Sequence, residues 1–494
     1  MKKGEIYEGV ITDYSFPNKG SLTMEDRRVT IKGALKGQRV RFMLTKKKSG
    51  MAEGRLLEVI EKSPVEDAEP ECEYFGLCGG CAYQTMSYER QLELKEDMVR
   101  RLLDRYLGET EEEKCSVWEG ILASPVQRGY RNKMEFTFGD EYKGGPLALG
   151  LHKKGGFYDI LNVSGCKIID ENWSKILDTT LEFFRDRNIP FYHKLKHEGV
   201  LRNLVVRQSK ATGEFLVMLV ASTQWGRYDE NEKDSEPVEA GMADCVKSPK
   251  LILGEYVASL RSLEASPDFT AGIAGILYTE NDSLADVVHS DRTILLSGRD
   301  YIIEKVNELE FKISPFSFFQ TNTKGCEVLY NKAREYVMSG HVMGDENRAD
   351  KVVFDLYSGT GTIAQLMAPA AKKVIGIEIV EEAVEAAREN AKINHLDNCE
   401  FIAGDVLKAI DLVEDKPDVI ILDPPRDGIN PKALAKILNF NVDEMIYISC
   451  KPTSLARDLE LITAAGYKVK RACACDQFPG TVHVETVCLL SRKP

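Results

Sequence analysis

The chain has 494 residues, a net charge of −13, 43% apolar and 29% charged residues, which describes a globular protein of two to four domains and not a fibrous or disordered one. Its longest wholly apolar run, Phe215 to Ala221, is seven residues, against the ~20 that span a bilayer. No apolar stretch of the secretory kind follows Met1-Lys2-Lys3-Gly4-Glu5, so a cytoplasmic location without membrane contact is expected.

Twelve cysteines in this length fall far below a disulfide scaffold, and clustered ones are better read as metal ligands or nucleophiles. The acidic total hides an asymmetry. Residues 1–62 hold 14 Lys+Arg against 8 Asp+Glu, a net +6, which leaves −19 for the rest. A basic module on an acidic body is one way to give a protein local attraction for phosphate.

Residues 1–60 alternate apolar and polar positions in short runs such as Glu5-Ile6-Tyr7-Glu8-Gly9-Val10-Ile11, separated by Gly20, Gly33, Gly37 and Gly50. The pattern predicts a small β-barrel. Residues 61–71, with Pro64 and Pro70, read as a linker. Leu92, Met98, Val99, Leu102 and Leu103 recur at helical spacing, predicting a helix over Tyr88–Leu107 that Gly108 stops. Residues 117–310 are rich in strand patterns, interrupted by a polar, acidic excursion from Thr223 to Lys250.

Cys72, Cys78 and Cys81 sit in Cys-Glu-Tyr-Phe-Gly-Leu-Cys-Gly-Gly-Cys, where glycines let the backbone fold tightly enough for thiolates to converge. Three ligands complete neither a zinc nor an iron–sulfur site. Cys166, after the Ser164-Gly165 turn, is the candidate fourth, and the spacing leaves zinc and [4Fe–4S] both open.

From Val352 the pattern becomes buried strand, loop, helix, repeated, which predicts a doubly wound α/β domain. The strand Val352-Val353-Phe354-Asp355 runs into Leu356-Tyr357-Ser358-Gly359-Thr360-Gly361-Thr362, a loop whose glycines let a cofactor approach a helix N-terminus. Glu378, 19 residues beyond Gly359 at the end of the next strand, stands where a carboxylate accepts ribose hydroxyls. Asp405, after the third strand, is placed to read an adenine amino group. Gly359 to Ala364 also fits Gly-x-Gly-x-x-Ala, so an NAD-dependent oxidoreductase is an alternative at this point.

The fourth strand, Val419-Ile420-Ile421-Leu422, ends in Asp423-Pro424-Pro425-Arg426, a rigid turn at the sheet edge where such folds bind ligands. The fifth delivers Cys450 to the same edge, followed by Lys451, a cation that would lower the thiol pKa. Thr481 to Val487 reads as a strand that holds Glu485 among apolar residues, an environment that raises a carboxyl pKa and suits proton transfer. His483 would share its face as a support. A cysteine, a carboxylate and an adenosyl site together fit methylation at carbon 5 of a pyrimidine.

On these residues the chain resembles the RNA uracil-5-methyltransferase family, specifically its 23S ribosomal RNA members. The resemblance implies a Rossmann-like S-adenosylmethionine-dependent catalytic domain, an N-terminal TRAM barrel that binds RNA, and a [4Fe–4S] cluster on Cys72, Cys78, Cys81 and Cys166. Ser314-Pro315-Phe316-Ser317-Phe318-Phe319-Gln320-Thr321-Asn322 resembles the family's entry to the catalytic domain. By that resemblance Gln320, Tyr357, Glu378 and Asp423 contact the methyl donor, Phe318 stacks on a flipped uracil, Cys450 is the nucleophile and Glu485 the base. Arg131 and Lys133, alternating on one strand face, are candidate phosphate contacts. The expected division is 1–60 (barrel), 61–310 (central iron–sulfur and RNA-binding domain, its helix 84–108 packing on the catalytic domain) and 311–494 (catalytic), acting as a monomer. T-loop uridine of tRNA is the alternative substrate.

Overall fold

The computed structural model describes residues 1–156, 159–231, 248–340 and 350–492. The chain divides into two compact units, one made of residues 1–70, 81–127 and 324–494, the other of residues 71–80 and 128–323.

The first unit opens with a six-stranded sheet in the order Ile6–Val10, Arg39–Lys48, Met51–Glu61, Arg27–Lys32, Lys19–Met24, Asp13–Ser15. Alternation along Arg39–Lys48 puts Val40, Phe42 and Leu44 into a core with Val29 and Ile31, while Arg39 and Arg41 face out. Gly54 is demanded by this packing, because a Cβ there would lie 2.6 Å from the Phe42 ring.

The helix Tyr88–Leu107 buries Gln91, Lys95, Met98, Val99, Leu103 and Leu107, one stripe at intervals of three and four. Its apolar members join the core of the catalytic sheet, each contributing roughly 1.5–3 kcal/mol by leaving water. The same helix receives the N-terminal sheet: Tyr14 donates to Asp97 at 2.6 Å, and Arg101 pairs with Asp13 at 3.1 Å.

That catalytic sheet has eight strands in the order Cys399–Ala403, Lys373–Glu378, Val352–Leu356, Val419–Leu422, Glu444–Ser449, Glu485–Ser491, Lys468–Cys475, Trp118–Leu122. The first five are mutually parallel, and Glu485–Ser491 enters antiparallel to its two neighbours. Val419–Leu422 is buried along its whole length, which explains why it reads as a continuous apolar run. Trp118–Leu122 extends the sheet in parallel with Lys468–Cys475. The Glu485 strand begins at Glu485 itself; residues 481–484, expected as strand, form the loop before it.

The second unit is a seven-stranded sheet in the order Ile160–Asn162, Leu147–His152, Lys133–Asp140, Leu201–Gln208, Glu214–Ala221, Gly272–Glu280, Arg292–Gly298. The apolar run Phe215 to Ala221 is one of its inner strands. The helices Glu171–Asp186 and Pro249–Ser262 bury Trp173, Phe184 and Tyr256 in a core with Phe215. Of the acidic excursion, residues 232–247 lie outside the described residues; its start forms a turn in which Ser222 caps Thr223–Trp225.

Candidate active site

Strand register brings the site together. Leu356 lies level with Ile377 and with Leu422, and Leu422 with Tyr447. The residues that follow, Tyr357, Glu378 and Asp423, therefore leave the carboxyl ends of three adjacent strands at one height, the edge where open α/β sheets take ligands. Tyr357 holds a left-handed φ of 70°, an unfavourable conformation for a bulky residue that turns the chain sharply off the strand tip.

Carboxylates crowd this edge. Glu378 accepts the Gly359 N–H at 3.0 Å with one oxygen and the Val380 N–H at 3.0 Å with the other. Asp355, fully buried, accepts the Ala364 N–H at 2.9 Å, while its second oxygen has no hydrogen-bond partner among the described residues. Burial, with repulsion from Asp423 and Glu378, pushes Asp355 up to about 8, and burial pushes Asp423 up to about 7. Asp405 caps the helix Val406–Ala409, accepting from Leu407 N at 2.8 Å. Beside it the half-buried Tyr357 phenol is pushed up to about 12 by desolvation and the Asp405 charge.

This edge fits a sulfonium nucleoside. A cation would relieve the mutual repulsion of the carboxylates, and Asp355 keeps an unused acceptor. A Cβ on Gly359 would meet nothing within 4 Å, so the loop leaves open space beside the backbone. Asp355 was not singled out from the sequence. Its signal was a charged residue ending an otherwise apolar strand immediately before the glycine loop.

Cys450 and Glu485 are brought close by the antiparallel pair. Ser449 pairs with Thr486; Cys450 follows the one and Glu485 precedes the other, near enough that the Glu485 charge acts on the thiol. Glu485 is 4% exposed, and burial plus the Asp423 charge push it up to about 8, with Arg426 opposing. The Cys450 thiol is pushed up to about 11 by burial and by the charges of Glu485 and Asp423, again opposed by Arg426. The cation that acts on the thiol is thus Arg426 and not the expected Lys451, which turns to Asp427 at 3.5 Å. His483 stands in the loop before the strand, its Nδ1 3.0 Å from Arg426 Nη2.

In the second unit, the loop with the entry motif is held by internal bonds. Arg207, buried, donates to the carbonyls of Pro315 and Ser317. Asn132 Nδ2 donates to the Gln320 carbonyl at 2.9 Å. Between these anchors Phe318 is 69% exposed. Arg131 donates to the Lys133 carbonyl at 2.9 Å, and Lys133 pairs with Glu135 at 2.8 Å.

The four cysteines are divided between the units: Cys72, Cys78 and Cys166 in the second, Cys81 in the first. Cys78 lies near enough to Cys72 to be raised by its charge, after burial, and accepts the Gly80 N–H at 3.3 Å. Among the described residues no group of three or more His, Cys, Asp or Glu side chains is arranged to hold a metal ion, and no helix is long and apolar enough to cross a membrane.

The family model described as tRNA (Uracil-5-)-methyltransferase matches residues 285–493. An uncharacterized RNA methyltransferase of Clostridium tetani is 45% identical over 498 residues, covering 100% of this chain and 99% of its own. One of Clostridium acetobutylicum is 45% identical over 495 residues with the same coverage. In fold, the chain is similar to the tRNA (uracil-54, C5)-methyltransferase of Pyrococcus abyssi, solved with S-adenosyl-L-homocysteine, with a TM-score of 0.69 and 24% identity over 98% of this chain and 100% of that one. With RNA methyltransferases 45% identical over its whole length and the uracil-5-methyltransferase model matched over residues 285–493, the chain belongs to the RNA uracil-5-methyltransferase family.

Proposed function

We propose that this protein methylates carbon 5 of a uridine in 23S ribosomal RNA through a covalent bond between Cys450 and carbon 6. The observation that supports it most is the proximity of Cys450 and Glu485 beside the Ser449–Thr486 pair, because the chemistry needs a nucleophile and a base on one pyrimidine ring. When bound, S-adenosylmethionine supplies an electrophilic methyl group and a positive charge.

The residues then divide the work. Tyr357, Gly359, Glu378, Asp405 and Asp423, with Gln320, hold the donor. The Cys450 thiolate forms a bond to carbon 6, which makes carbon 5 of the ring nucleophilic toward the methyl group. Glu485, as carboxylate, takes the carbon-5 proton; the carbon–sulfur bond breaks and the thiolate is restored. Its raised pKa makes Glu485 a stronger base than an exposed glutamate. Arg426 favours the anionic forms of both groups. A uridine must leave its stack to reach the thiol, and Phe318 receives it.

The basic N-terminal sheet is read as a TRAM-like RNA-binding module, and Arg131 and Lys133 are read as phosphate contacts in the second unit. We also propose a [4Fe–4S] cluster on Cys72, Cys78, Cys81 and Cys166, supported by the thiol set and the Cys72–Cys78 proximity; no step of the reaction runs through it. Iron and labile sulfide in anaerobically purified protein, lost in Cys78→Ser, would support the cluster, and zinc alone would replace it.

A transfer RNA target has its own support in the family model and in the Pyrococcus abyssi likeness. Mapping 5-methyluridine after incubation with 23S rRNA and with tRNA separately decides between them. Glu485→Gln is expected to accumulate a covalent protein–RNA adduct that Cys450→Ser abolishes. Full turnover by Glu485→Gln without adduct would remove the assigned base.

A further inference from the structure

One buried charged pair in the first unit is unused by the chemistry above. Lys95 and Asp476 are both 0% exposed at the side chain and 2.6 Å apart. Lys95 Nζ also donates to the Phe478 carbonyl at 3.1 Å. One helical turn earlier, Gln91 accepts the Gly480 N–H at 2.9 Å. The Gly480 carbonyl in turn accepts from Ala82 N at 2.7 Å and Tyr83 N at 3.1 Å. Every one of these bonds ends on residues 476–480, the start of the loop that joins Cys475 to Glu485.

Cys475 and Glu485 are partners in the antiparallel register, so residues 476–484 form a closed excursion with the base at its far end. Within it, Thr481 N and Oγ1 donate to the Phe478 carbonyl at 3.1 and 2.9 Å, and Thr481 Oγ1 accepts from His483 N at 3.2 Å. The Phe478 and His483 rings meet edge to face at 6.0 Å. The chain of contacts is continuous from the helix Tyr88–Leu107 to His483, two residues from Glu485. An ion pair meant only to hold this helix down is unnecessary, since apolar residues around it already do so, and a buried pair adds little net stability over an apolar one.

We propose that Lys95 and Gln91 are positioning residues that clamp residues 476–484 and so fix Glu485 and His483 against Cys450. This rests on Glu485 being the base. Displacing a base by an ångström can cost on the order of a hundredfold in rate, which is the scale of effect a clamp controls.

The test uses the full chain with Lys95→Met, and with Lys95→Met/Asp476→Asn, which removes both charges and leaves no carboxylate stranded. Expected for the folded double variant are faster amide hydrogen exchange in peptides covering 476–484, kcat lower by about ten- to a hundredfold, an unchanged KM for S-adenosylmethionine, and covalent RNA adduct through Cys450 during turnover. Unchanged exchange in that loop, or native kcat in the folded double variant, overturns the proposal. If Glu485→Gln turns over normally, the base assignment fails, and the exchange measurement still decides whether the clamp exists.

Discussion

Arg426 Nη2 lies 3.0 Å from His483 Nδ1. A guanidinium only donates, so Nδ1 is the acceptor and the neutral ring carries its proton on Nε2. Arg426 is thereby held beside Cys450 and Glu485, the two groups whose anionic forms it favours. Removing it raises both pKa values, so the ionised forms become scarcer at a given pH. Arg426→Ala is expected to lower kcat at pH 7 by about tenfold or more and to move the rising limb of the pH–rate profile up by roughly one pH unit. Methyl transfer measured from pH 6 to 10 checks it; an unmoved profile excludes the role.

The buried carboxylates of the sheet edge make stability of the ligand-free protein depend on pH in a defined direction. Asp355, pushed up to about 8, Asp423, to about 7, and Glu485, to about 8, all have folded values above their ordinary 3.8 or 4.5. The folded protein therefore holds protons that the unfolded chain has released. This contribution is complete below about pH 4 and is lost as the pH rises through 7 to 8. The melting temperature of the ligand-free protein should fall between pH 6 and 8.5, and Asp355→Asn should flatten the fall. S-adenosylmethionine, a cation, should narrow it more than S-adenosylhomocysteine.

Two glycines in one loop should respond differently to alanine. Both have left-handed φ, 53° at Gly359 and 76° at Gly361, so each substitution strains the backbone by about 1–2 kcal/mol. A Cβ on Gly361 would also lie 2.7 Å from the Phe401 ring, whereas one on Gly359 meets nothing. Gly361→Ala should cost about 2–4 kcal/mol of stability in urea unfolding. Gly359→Ala should fold with the smaller loss yet bind S-adenosylhomocysteine at least tenfold more weakly in calorimetry, because the added methyl occupies the donor's space.

Sequence reading reached the site where chemistry and local pattern coincide. Cys450, Glu378 and Asp423 each end an apolar strand, and the parallel sheet carries every such end to one edge. Glu485 was legible as a buried acid, although its strand begins at that residue and not four earlier, because Thr481 and Val482 have strand propensity while Pro479-Gly480 and the bonds to residues 82–95 hold a loop. Lys451 was named as the cation on the thiol by adjacency in sequence. In space, the Asp423-Pro424-Pro425 turn returns Arg426 to the thiol while Lys451 faces outward. Trp118–Leu122 gave no sign of joining the catalytic sheet, since a five-residue strand says nothing about a partner some 350 positions away. The Lys95–Asp476 pair was hidden for the same reason: a lysine on an amphipathic helix reads as solvent-facing until the fold covers it.

That distant strand has a consequence for synthesis. Trp118–Leu122 leaves the ribosome long before the strand it pairs with exists, and residues 128–323 of the second unit are made in between. Until Lys468–Cys475 emerges, the early segment has no place to dock. A recombinant fragment starting at residue 324 would bare that strand as an open hydrogen-bonding edge, an invitation to self-association. The catalytic half of this enzyme is therefore no transplantable module: its last seam closes only when residues 118–122 meet a strand made some 350 positions later.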